Sequence, residues 1–193
     1  MAAESPVGLL LRNLAGVLEK RGHRWYLFGA QAVTVWGKPR TSADVDVTAE
    51  VDLGEVVSLV RDVEAAGFSV RVADPADFAS RTRVIPFLHV ATQIPLDLVL
   101  AGPGLEEEFL ARSVEFLESG VVIRVISPED LLVTKILAGR SKDLEDVNGI
   151  LREQGEHLDL ERVRRLLSTL DSALARSDLL STLEALLARE AGS

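Results

Sequence analysis

Asp44-Val45-Asp46 places two carboxylates one residue apart, between Ala43 and Val47. Alternate residues of a strand project to the same side, so the two acids stand next to each other. Oxygen ligands of this kind suit a hard divalent cation, Mg²⁺ or Mn²⁺, which shares itself with substrate phosphates. Two such ions activate an attacking oxygen and stabilise a leaving one. A third acid in the same style is Asp97, alone in the apolar run Pro95-Leu96-Asp97-Leu98-Val99-Leu100. Burying an unpartnered charge costs on the order of several kcal/mol, and three carboxylates on neighbouring strands repel unless a cation joins them. Taken singly, the acid pair also fits a solvated strand, and Asp97 a salt bridge to an arginine. Taken with Gly29 and Arg40, the three predict a metal site of Asp44, Asp46 and Asp97.

Upstream, the apolar stretch Trp25–Phe28 ends in Gly29-Ala30 and runs into a short helical segment. A glycine there lets backbone approach a phosphate, and a helix N-terminus offers free N–H groups to an anion. The same glycine also fits a tight turn of positive φ. Downstream, Ser127-Pro128-Glu129-Asp130 is a helix start with N-cap, proline and acidic first turn. At about 100° per residue, Lys135 falls between Leu131 and Leu132, inside the apolar stripe. A lysine so placed either snorkels or faces a site. Asp143 and Asp146 share a helix face. They pair with Arg140 or Lys142, position Lys135, or are plain helix-surface acids, and the last is the expectation.

The elements that must hold these residues follow from periodicity. Helices are expected over 6–20, 31–36, 53–66 and 106–116, and strands over 24–28, 45–48, 69–72, 84–91, 96–100 and 121–126. From Pro128 onward the pattern is helical, over 128–138, 142–154, 159–170 and 172–190. The expected fold class is α/β (α+β): a mixed-sheet core over 1–126 and a helical region over 127–193 packed on it.

Composition narrows the chemistry. With 193 residues and 47% hydrophobic, the chain buries a real core in one domain or one domain with an extension. No apolar run nears the roughly 18 residues of a membrane span, and MAAESPVG has neither a basic n-region nor an apolar h-region, so no membrane and a cytoplasmic setting are expected. The absence of cysteine excludes thiolate metal sites and cysteine nucleophiles. His23, His89 and His157 show no ligand spacing, and neither a Walker A nor a GxGxxG pattern is present. The net charge of −9 means that any RNA must be met by a local basic patch, for which Arg21, Arg24, Lys38, Arg40, Arg81, Arg83, Arg140 and Lys142 are candidates.

The run Gly29-Ala30-Gln31-Ala32, Gly37, Pro39-Arg40-Thr41 and Asp44-Val45-Asp46 resembles the minimal nucleotidyltransferases of the DNA polymerase β superfamily. Within it, the chain is most similar to the AbiEii-type group, toxins of type IV toxin–antitoxin systems. Ser127-Pro128-Glu129-Asp130-Leu131-Leu132 with Lys135, then Arg140, Lys142, Asp143 and Asp146, extends the similarity, which spans about residues 24–150. The resemblance implies a polymerase β-like fold and transfer of a nucleoside monophosphate from an NTP to a hydroxyl, releasing pyrophosphate. It implies Mg²⁺ on Asp44 and Asp46, with Asp97 completing the site and helping to deprotonate the acceptor. It places Gly29 and Ala30 at the triphosphate, with Arg40, Thr41 and Lys135 on the nucleotide side. It further implies a tRNA 3′ end as acceptor and a cognate antitoxin as partner. Ala30 departs from the common Gly-Ser turn and removes one hydroxyl contact to phosphate. A small-molecule acceptor such as an antibiotic keeps the chemistry and suits an acidic protein; a silent partner-binding domain is the reading outside enzymes.

Overall fold

The computed structural model describes residues 5–39, 42–118 and 121–191. Helix α1 (Pro6–Lys20) starts on Ser5, whose Oγ accepts the Gly8 N–H at 3.0 Å. It buries Leu10, Leu11, Leu14 and Leu18. Strand β1 (Trp25–Phe28) passes directly into α2 (Gly29–Trp36), and β2 (Val45–Ala49) follows. A 3₁₀ turn at Leu53–Glu55 leads into α3 (Val56–Ala65); then come β3 (Phe68–Val70), α4 (Pro75–Thr82), β4 (Val84–His89) and β5 (Ile94–Leu100). Helix α5 (Leu105–Arg112), β6 (Val114–Glu118) and β7 (Val121–Val125) complete the sheet segment. The remainder is helical: α6 (Pro128–Ala138), α7 (Ser141–Gln154), α8 (Leu160–Ala173) and α9 (Leu179–Ala191).

The seven strands form one mixed sheet in the order β3-β4-β5-β2-β1-β7-β6. Its central pair, β2 and β5, is parallel, while β1 runs antiparallel to β2 and parallel to β7. Alternation sorts the strands: Leu96, Leu98 and Leu100 are buried while Asp97 and Val99 are half-buried. The apolar side receives α1, which packs on β5, β7 and α3.

Contacts divide the chain into two compact units, residues 1–31 with 41–126, and residues 32–40 with 127–193. Thus most of α2 and the residues after it group with the C-terminal helices, although they lie early in the sequence. In that second unit α6 packs against α7, α8 and α9. Gly37 and Lys38 meet α7 backbone to backbone: a β-carbon on Gly37 stands 3.1 Å from Ile150 N, and one on Gly149 stands 3.3 Å from Lys38 N. The Gln154 side-chain amide donates to the Trp36 carbonyl at 2.7 Å.

Three segments differ from the sequence expectation. The 106–116 helix stops at Arg112, and Val114–Glu118 forms strand β6, because β7 offers it a ladder with Val114 opposite Val125. Residues 75–82 form α4, capped by Asp74 through the Asp77 N–H at 2.9 Å. The last helix begins at Leu179 instead of residue 172, after a break in which Ala175 takes φ +51. Among the described residues, no helix is long and apolar enough to cross a membrane.

Candidate active site

The sheet register brings two of the three acids together. Asp46 of β2 stands opposite Asp97 of β5, and residues paired across strands point to the same face. The row continues on both sides, with Phe28 opposite Asp46 and Pro86 opposite Asp97. Both acids are half-buried between fully buried neighbours, Val45 and Val47 on one strand, Leu96 and Leu98 on the other. Asp44 lies just ahead of β2 and is exposed; its Oδ1 accepts a hydrogen bond from Ser42 Oγ at 2.6 Å. Asp44 is close enough for its charge to act on Asp97.

Burial raises the Asp97 carboxyl above its ordinary range; the Arg71 charge opposes this and the Asp44 charge adds to it. Arg71 follows β3, and its N–H donates to the Pro86 carbonyl at 2.8 Å, which extends the row by one residue. Sequence reasoning did not single out Arg71. Its place in the row, two strands from Asp97, is a product of the β3–β4–β5 register, and no local pattern in the sequence carries it.

Gly29 closes the other end of the row. Because β1 is antiparallel to β2, the end of β1 meets the start of β2, and Gly29 at φ +66 turns the chain from strand to helix there. A β-carbon on Gly29 runs into the Asp46 carboxylate and stands 2.9 Å from Asp46 Cγ. The glycine is therefore required by its neighbour's carboxylate as well as by its own backbone conformation. Ala30 is buried and follows Gly29 in α2. Arg40 and Thr41 lie outside the described residues.

Among the described residues, no three His, Asp or Glu side chains form a ready cage for an ion. Asp46 and Asp97 converge, and Asp44 is turned to Ser42, an arrangement that spreads three like charges. The donor set is nonetheless all carboxylate oxygen, and the missing side chain of Gly29 leaves room for the Asp46 carboxylate. Carboxylate oxygens of this kind fit Mg²⁺ or Mn²⁺, which Asp44, Asp46 and Asp97 would hold.

Lys135 is placed in a different cluster. It is 5% exposed, and its Nζ donates to Asp143 Oδ1 at 3.2 Å and to Asp146 Oδ2 at 2.8 Å. Arg140 Nε adds a 2.5 Å bond to Asp143 Oδ2. Burial pushes the Asp143 carboxyl up, but the hydrogen bonds and charges of Arg140 and Lys135 outweigh it and hold the group low. Asp143 and Asp146 are thus buried partners of Lys135, not the helix-surface acids expected from sequence. The spacing placed them on one face; what it could not give was that this face turns to α6. At the start of α6, Asp130 is fully buried and takes Arg162 Nη2 of α8 at 3.0 Å, while Glu129 accepts the Asp159 N–H at 3.2 Å.

The chain has relatives in family and in fold. A family model described as a nucleotidyltransferase of unknown function (DUF6036) matches residues 11–181. No curated protein sequence matches. Among solved structures, the antibiotic-resistance factor ANT(2″)-Ia in complex with adenylyl-2″-tobramycin superposes with a TM-score of 0.58 at 16% identity, covering 86% of this chain and 97% of that one. An antigenic nucleotidyltransferase-like protein from Paracoccidioides brasiliensis gives 0.53 at 17% identity, covering 95% of each chain. The lincosamide antibiotic adenylyltransferase LnuA, lincomycin-bound, gives 0.51 at 14%, covering 73% of this chain and 94% of that one. At these identities the likeness is one of fold, the polymerase β-like nucleotidyltransferase fold with its mixed sheet.

Proposed function

Because the chain belongs to the family of nucleotidyltransferases of unknown function (DUF6036), we propose that it moves a nucleoside monophosphate from an NTP to an acceptor hydroxyl on RNA. The observation that carries this reading is the in-register pair Asp46–Asp97 with Gly29 against Asp46. In this reading Gly29 and Ala30 present backbone to the triphosphate at the start of α2, with Arg40 and Thr41 following on the same segment. Asp44, Asp46 and Asp97 hold Mg²⁺ or Mn²⁺, which when bound supplies Lewis-acid stabilisation of the phosphate oxygens. Asp97, the acid farther from Gly29, takes the proton of the acceptor hydroxyl. The freed oxygen forms a bond to the α-phosphorus, the bond from that phosphorus to the bridging oxygen breaks, and pyrophosphate leaves. Lys135 serves the reading as the buried counter-charge joining α6 to α7, since its ammonium already holds two carboxylates.

The RNA acceptor, with a tRNA 3′ end as the specific case, is supported by the similarity of the motif residues to the AbiEii-type group. A toxin role with a cognate antitoxin is the further reach of that similarity. A small cationic acceptor is the second reading, favoured by the net charge of −9. The test is transfer of label from each α-labelled NTP, with Mg²⁺, to total RNA and to a panel of hydroxylated small molecules. Label on RNA that is lost in Asp46→Asn is the expected result. Label only on small molecules replaces the acceptor, and no transfer under any condition overturns the reading.

A further inference from the structure

We propose that Arg71 binds the acceptor and that the acceptor therefore carries a phosphate next to its reactive hydroxyl. The inference rests on the nucleotidyltransferase reading for its orientation. There the triphosphate lies at the Gly29 end of the row and Asp97 receives the hydroxyl proton, so what lies beyond Asp97 faces the acceptor. Beyond Asp97 the row holds Pro86 and then Arg71. Neighbouring strands are about 4.8 Å apart, so Arg71 starts two strand spacings from Asp97. Pro86, between them, has no long side chain to block a guanidinium extended over it.

Arg71 is also uncommitted. In the same unit Arg24 is held by Glu50, Arg81 by Asp77, Arg124 by Glu115 and Arg21 by Asp62. Arg83 donates to the carbonyls of Leu100 and Ala101. Among the described residues, Arg71 forms no salt bridge, and it is exposed. A planar guanidinium with free donors matches phosphate oxygens in a two-pronged contact. The same charge repels a cationic acceptor. The row thus runs from a glycine turn through carboxylates to a cation, and it fits two substrates, a triphosphate at the glycine end and an acceptor with its hydroxyl at Asp97 and its phosphate at Arg71.

Two sources share this chemistry, the 3′-terminal phosphodiester of an RNA and a small phosphorylated hydroxyl compound. The test measures binding, which does not depend on turnover. Fluorescently labelled short single-stranded RNA and tRNA, and separately a nucleoside 5′-monophosphate, are titrated with wild type, Arg71→Gln and Arg71→Lys over a range of salt. Arg71→Gln is expected to weaken binding roughly tenfold, the scale of a lost charge-assisted hydrogen bond, with Arg71→Lys in between. For the RNA, the slope of log affinity against log salt is expected to shrink by about 0.7, one phosphate on a single strand. Loss confined to the RNA probes assigns the phosphate to an RNA end, and loss on the mononucleotide assigns it to a small acceptor. Equal affinity and slope in wild type and Arg71→Gln, or no binding of any probe by wild type, overturns the proposal. If the probes bind through Arg71 but no label is ever transferred, the transfer reading fails and the Arg71 site stands.

Discussion

The Asp46 carboxylate lies against the α-carbon of Gly29, where a β-carbon has no room. One contact thereby ties the strand-to-helix turn to the acid that opens the active face. Gly29→Ala carries two penalties. The left-handed backbone at φ +66 costs an L-residue about 1–2 kcal/mol, and the methyl group displaces the carboxylate. Thermal unfolding is expected to show a loss of roughly 1–3 kcal/mol. Transfer activity, assayed well below the midpoint, is expected to fall further than that loss accounts for. Wild-type transfer by Gly29→Ala would mean that the position of Asp46 is immaterial.

Asp46 and Asp97 are like charges opposite each other on parallel strands. Such pairs destabilise a sheet, on the order of 0.2–1 kcal/mol. Asp97→Asn is therefore expected to raise the unfolding midpoint in EDTA, and Asp46→Asn and Asp97→Asn each to abolish transfer. For Asp97 the sign with pH can be worked out. Its folded carboxyl is raised, so the folded state holds the proton better than the unfolded chain and stability declines as pH rises above about 3.9. The stabilisation by Asp97→Asn is expected at pH 7 and absent at pH 3. Unfolding curves for wild type and Asp97→Asn at the two pH values check this, and destabilisation by Asp97→Asn at pH 7 counts against the repulsion.

Much of this site was legible because local chemistry sets it. The alternation Val45-Asp46-Val47 and Leu96-Asp97-Leu98 decides which side of a strand the acids take, and Ser127-Pro128 marks the start of α6 to the residue. What the sequence left dark is set by pairing at a distance. Val114–Glu118 is a strand only because β7 lies beside it, and Arg71 joins the acids only through two successive registers. Asp143 and Asp146 were placed on one helix face correctly, but their burial depends on which neighbour that face meets. Residues 32–40 group with helices that begin only at Pro128, which no periodicity reveals.

Lys135 stands between two carboxylates in a buried cluster. Removing one partner of such a cluster costs about 3–5 kcal/mol, because the remaining charges keep their desolvation penalty. Lys135→Met is expected to lose that much in urea unfolding, and Lys135→Met/Asp146→Leu to recover part of it. An open phosphate-binding lysine behaves otherwise: Lys135→Met raises the NTP KM and leaves stability alone. That second pattern would return Lys135 to the nucleotide.

His89 is fully buried, with Nδ1 2.8 Å from Thr92 Oγ1 and Nε2 3.2 Å from the Asn13 side-chain amide nitrogen. The Asn13 Nδ2 donates, so Nε2 accepts and the proton sits on Nδ1, an assignment that follows from the hydrogen-bond network. Burial lowers the pKa of the ring. The folded state thus refuses a proton that the unfolded chain accepts near pH 6.5, and stability falls as pH drops through that value. Urea unfolding at pH 7.5, 6.0 and 5.0 is expected to show the decline, and His89→Gln to flatten it. Asp143, held low, adds a second loss that begins only below about pH 3.9.

Gly37 and Gly149 face the same backbone contact, yet substitution is expected to be costly at the first and nearly neutral at the second. A β-carbon on Gly37 meets Ile150 Cγ1 at 3.0 Å and Ile150 N at 3.1 Å. The second of these is backbone inside α7 and cannot turn aside, so Gly37→Ala must push the segment off the helix. On Gly149 the tightest contact is 3.3 Å, to Lys38 N, and a movement of a few tenths of an ångström relieves it. Alanine in a helix interior gains about 1 kcal/mol over glycine, which offsets that strain. Gly149→Ala is therefore expected within about 0.5 kcal/mol of wild type, and Gly37→Ala to lose roughly 1–3 kcal/mol, the scale of overpacking. Lys38 and Pro39 lead straight into Arg40 and Thr41, so Gly37→Ala is also expected to raise the NTP KM. Urea unfolding and NTP titrations on both variants give the comparison, and equal losses in the two would show that the α7 backbone yields as easily as the loop.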